Sequence, residues 1–61
     1  MNYIIKAEGS VKGGWGWVYL AAYENKKPIW TENIEDAITM PLDIAEEISS
    51  KSGGKVIAKP Q

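Results

Sequence analysis

The chain of 61 residues contains no cysteine, no histidine, no arginine and no phenylalanine. Without cysteine there is no disulfide framework and no thiolate metal site. Without histidine the commonest metal ligand and the commonest general base are both missing. The seven basic residues are all lysine, which removes the bidentate guanidinium contacts that phosphate and guanine recognition favour. A formal net charge of -1 argues further against general binding to nucleic acid, which needs clustered cations to displace counterions. Long hydrophobic runs are lacking too. No stretch approaches the roughly 20 apolar residues that span a bilayer, and "MNYIIKAEGS" has no basic region followed by an apolar run. The expected location is the cytoplasm, with no membrane, metal or cofactor involved.

What is present describes a small folded domain. The apolar fraction of 44% and charged fraction of 25% are those of a globular chain. Residues 1–61 form one expected domain, near the lower size limit at which a core sustains a fold unaided. Packing alone has to stabilise it.

The pattern predicts strands first. "NYIIKAE" is β-branched and aromatic, with Tyr3, Ile5 and Ala7 on one face and Ile4 and Lys6 on the other. "GSVKGG" reads as a turn in which Gly13 and Gly14 take positive φ, which makes "GGWGWVYLAAY", residues 13–23, the second strand of a hairpin. "ENKKP" is the next turn and "IW" begins a short third strand. Asn33 is placed to cap a single helical turn, with Asp36 three residues on. "PLDIAEEISSKS", residues 41–52, predicts a helix with Pro41 at its first position. Pro41, Ile44, Ala45 and Ile48 form its apolar stripe, with Leu42 at the flank. Gly53 and Gly54 stop it, "KVIAK" forms a last strand and "PQ" a tail. The expected fold is α+β, an antiparallel sheet of three or four strands with one helix on one face.

The second strand is apolar on both sides, and one helix covers only one side. Two arrangements are open. Trp15, Trp17 and Tyr19 pack under the helix, or Val18, Leu20 and Ala22 do, leaving a ladder of Trp15, Trp17, Tyr19 and Tyr23 on the other face. Either leaves an apolar side suited to a protein partner, to a second copy or, less favourably, to stacked bases. Lys6, Lys12, Lys55 and Lys59 are the cations available for the last of these.

Catalytic motifs are not formed. "GGWG" opens no helix, and "SGGK" lacks the earlier glycine and the trailing hydroxyl of a phosphate loop. Neighbouring carboxylates, Glu35 with Asp36 and Glu46 with Glu47, diverge rather than meet at one atom. Ser49, Ser50 and Ser52 have no histidine to activate them. The chain reads as a non-enzyme.

Charge is segregated. Between Pro28 and Ser50 lie Glu32, Glu35, Asp36, Asp43, Glu46 and Glu47 and no lysine. Such a surface either keeps a small protein soluble or imitates the charge of nucleic acid toward a basic cleft.

"WTENIEDAITM" with "IAEEISSKSGGKVI" resembles very small proteins encoded by phages and prophages of Gram-positive bacteria. Trp30, Asn33, Ile34, Ala37, Ala45, Glu46, Ile48, Gly53 and Gly54 carry the likeness over residues 30–57. Met40 and Pro41 depart from it, since those proteins have hydrophobic or aromatic residues before the helix. The resemblance implies a protein that binds and blocks a host nucleic-acid enzyme or defence system. The expected partner-binding residues are Trp15, Trp17, Tyr19, Tyr23, Glu35, Asp36, Asp43, Glu46 and Glu47.

Overall fold

The structure is a computed structural model and describes residues 2–59; the expected tail at residues 60–61 lies outside them. Strand β1 (Tyr3–Val11) and strand β2 (Gly14–Glu24) form a hairpin, and β3 (Lys27–Thr31) follows. A single 3₁₀ turn, Ile34–Asp36, precedes helix α1 (Leu42–Ser52), and β4 (Lys55–Ala58) closes the chain. The sheet is antiparallel throughout, in the order β3-β2-β1-β4, and α1 packs on β1 and β4. The α+β expectation holds.

Local chemistry accounts for each junction. Lys12 and Gly13 make the first reversal, one residue earlier than expected, and Gly14 opens β2 opposite Val11. Gly13 and Gly14, at φ 93° and 136°, hold a conformation closed to most side chains. The second turn places Asn25 and Lys26 at φ 52° and 63°, the left-handed pair that a two-residue hairpin demands. The Asn33 side chain accepts from the N–H of Glu35 at 3.0 Å, so it caps the short turn as its identity suggests. Pro41 sits one position earlier than expected, at the N-cap with extended ψ 158°. Gly53 ends the helix at φ 84°, its N–H donating to the Ser49 carbonyl at 2.8 Å.

The core lies between α1 and the sheet. Ile5, Leu20, Met40 and Ala45 form its centre, with Tyr3, Tyr23, Trp30, Ile38, Ile48 and Val56 packed around them. The helix contributes less than its pattern promised. Ala45 and Ile48 face the sheet, but Leu42 and Ile44 are exposed, so the stripe runs through 45, 48, 49 and 52. The small Ala45 lets the helix sit close, and Gly54 permits the same approach behind it. A Cβ at Gly54 would lie 2.5 Å from Ile5 Cγ2 and 2.9 Å from the Lys6 carbonyl oxygen.

The strands β1 and β2 pair only from Lys6 and Tyr19 outward to the hairpin turn. Where they part, the segment before the helix enters. Tyr3 and Met40 exchange main-chain hydrogen bonds at 2.9 and 3.0 Å, and the Ile38 N–H donates to the Leu20 carbonyl at 3.0 Å. This insertion satisfies backbone groups that the divergence would orphan. Ile4 and Ala37 are buried as well, outside the central cluster. The side away from the helix is therefore closed at the Ile4 end.

Candidate protein-binding surface

Pairing parity sets which side chains share the outer half of the hairpin. Ile5 and Leu20 lie under the helix, so alternation puts Val18 on that side and Tyr19, Trp17 and Trp15 on the other. Of the two arrangements left open by the pattern, the one with Val18 and Leu20 beneath the helix is observed. Ala22 and Tyr23 depart from it. A bulge between Leu20 and Ala22 adds a residue, reverses the alternation and sends Tyr23 into the core. The ladder is thus Trp15, Trp17 and Tyr19, without Tyr23.

Trp15 is 71% exposed and Trp17 42%. Opposite them on β1 stand Ser10 and Glu8, and Lys6 stands opposite Tyr19. These neighbours hold the rings. The Trp15 indole N–H donates to Glu8 Oε2 at 3.2 Å, and Lys6 Nζ lies 4.2 Å from the Trp17 ring centroid, within cation-π range. The reverse of this ribbon carries Gly9, Gly14 and Gly16 beside Ala7, Val11 and the buried Val18. The register of the two-residue hairpin turn is the signal that places Glu8 and Ser10 beside the tryptophans.

The carboxylates form a separate surface. Glu35 and Asp36 are exposed on the 3₁₀ turn, and Asp43, Glu46 and Glu47 are exposed on α1. Asp43, Glu46 and Glu47 share one helix face by spacing. Glu47 meets Lys51 at 3.4 Å, an exposed pair of little energetic weight. Glu32 turns elsewhere and accepts from the Lys12 main-chain N–H at 3.0 Å. Among the described residues no group of carboxylates converges on a point that could hold a metal ion. No helix there is long and apolar enough to cross a membrane.

Comparison with protein-family models, with curated proteins and with solved structures finds no match to this chain.

Proposed function

We propose that this is a non-catalytic binding protein that engages another protein through the hairpin surface of Trp15 and Trp17. The observation that carries the reading is the exposure of these two large aromatic side chains on one face of one strand. Water-exposed tryptophan is costly apolar area, and interfaces are enriched in it because its burial stabilises a complex strongly. Glu8 and Lys6 limit the freedom of the rings before binding, which lowers the entropy lost on association. The phage-type setting implied by the sequence makes a host protein the proposed partner, and the acids of α1 are placed to steer the encounter.

The test is affinity capture from the native cytoplasm with three baits. Wild type and an Asp43→Asn, Glu46→Gln, Glu47→Gln variant are expected to retain the same protein. A Trp15→Ala, Trp17→Ala variant is expected to lose it. Equal recovery by the tryptophan variant would overturn the reading.

A further inference from the structure

We propose that two copies of this chain join edge to edge along residues 7–11 of β1, making one continuous sheet across a two-fold axis at Gly9. The proposal stands on the pairing pattern and does not depend on the role given to Trp15 and Trp17. Strand β4 pairs with β1 only as far as Lys6 opposite Lys55, while β1 runs on to Val11. Among the described residues no strand pairs with the flank of residues 7–11 that faces away from β2, and Ser52 and Gly53 border it.

Parity identifies the groups left there. The N–H and C=O of Tyr3 both turn to Met40, on the β2 side, whereas the Asn2 carbonyl accepts from Lys59 on the β4 side. Even-numbered residues of β1 thus point toward β4, and beyond Lys6 those are Glu8 and Ser10. Among the described residues no hydrogen bond reaches the main chain of either. Unpaired strand edges are templates for another strand unless something blunts them. On the outer edges that device is visible, since β3 carries Lys27 and Pro28, and β4 begins with Lys55 and is followed by Lys59. Residues 7–11 contain neither proline nor lysine.

A second copy fits this gap in length and in register. With Gly9 on the axis, Glu8 of each copy faces Ser10 of the other, and each pair exchanges N–H and C=O in both directions. The same register sets Val11 of one copy opposite Ala7 of the other. That brings an apolar side chain to a groove of about 380 Å³ whose lining includes Ala7, Glu8, Ser10, Val18, Trp30 and Ser52. Both hairpins turn away from the seam, toward their own β2.

Sedimentation equilibrium of wild type, Ser10→Pro and Ser10→Thr, with amide hydrogen exchange at low and high concentration, tests this. Wild type and Ser10→Thr are expected to dimerise, with Glu8 and Ser10 amides becoming protected as concentration rises. Proline at position 10 removes a donor only from the flank away from β2 and leaves pairing with β2 intact. It is expected to weaken association about tenfold or more. A wild type that stays monomeric at millimolar concentration, or Glu8 and Ser10 amides that remain unprotected in a dimer, would overturn the proposal. The exchange measurement needs only wild type, so it decides the matter even if Ser10→Pro does not fold.

Discussion

Leu20, Trp15 and Gly54 show how much one residue can matter in a domain this thin. Leu20 is fully buried at the centre of the core. Leu20→Ala is expected to cost about 2–5 kcal/mol, a large share of the roughly 3–9 kcal/mol typical for a chain of this length. Urea unfolding measures it. Trp15→Ala is expected to lie within about 0.5 kcal/mol of wild type in the same assay, because the ring is mostly in water. Gly54→Ala places a methyl against Ile5 and the Lys6 carbonyl, so a loss of about 1–3 kcal/mol is expected. An unchanged midpoint for Gly54→Ala would mean that the link between α1 and β4 does not approach β1 as closely as described. The sequence announced Gly54 as a helix stop, and its closer role against Ile5 depends on a distant strand that no local pattern reveals.

Elements were legible where their signal is local. The glycine turn, the Asn33 cap, the helix and its Gly53 stop all follow from residues within a few positions of one another. Strand faces were legible up to Leu20 and failed beyond it, because a bulge leaves no mark in an apolar run and shifts Tyr23 to the opposite side. The helix stripe failed at Ile44 for a related reason. Periodicity gives a direction of about 100° per residue, but α1 lies over β1 and the edge strand β4, and Ala45 and Ile48 are the α1 residues that join the core. The second turn offers a test at this scale. Lys26 adopts φ 63°, a left-handed conformation that costs a side-chain-bearing residue roughly 1–2 kcal/mol. Lys26→Gly is expected to raise the thermal midpoint by several degrees. A lower midpoint would show that the turn is not of the left-handed type.

At the scale of the molecule, the Cα envelope measures 33 × 29 × 15 Å, thin enough to hold one sheet and one helix. Such a body cannot bury two sides of a sheet, and the chain resolves the shortage unevenly. It closes the side away from the helix at Ile4, by main-chain insertion between β1 and β2, and leaves Trp15 and Trp17 in water at the far end. That division gives the tryptophans different surroundings, since Trp30 packs against the core. Labelling with 5-fluorotryptophan and recording ¹⁹F shifts in H₂O and D₂O tests it most directly, with resonances assigned through single Trp→Phe variants. A large solvent isotope shift for Trp15, a smaller one for Trp17 and the smallest for Trp30 is the expected result. Shifts for Trp15 and Trp17 as small as that of Trp30 would contradict an open aromatic face, and with it the proposed mode of binding.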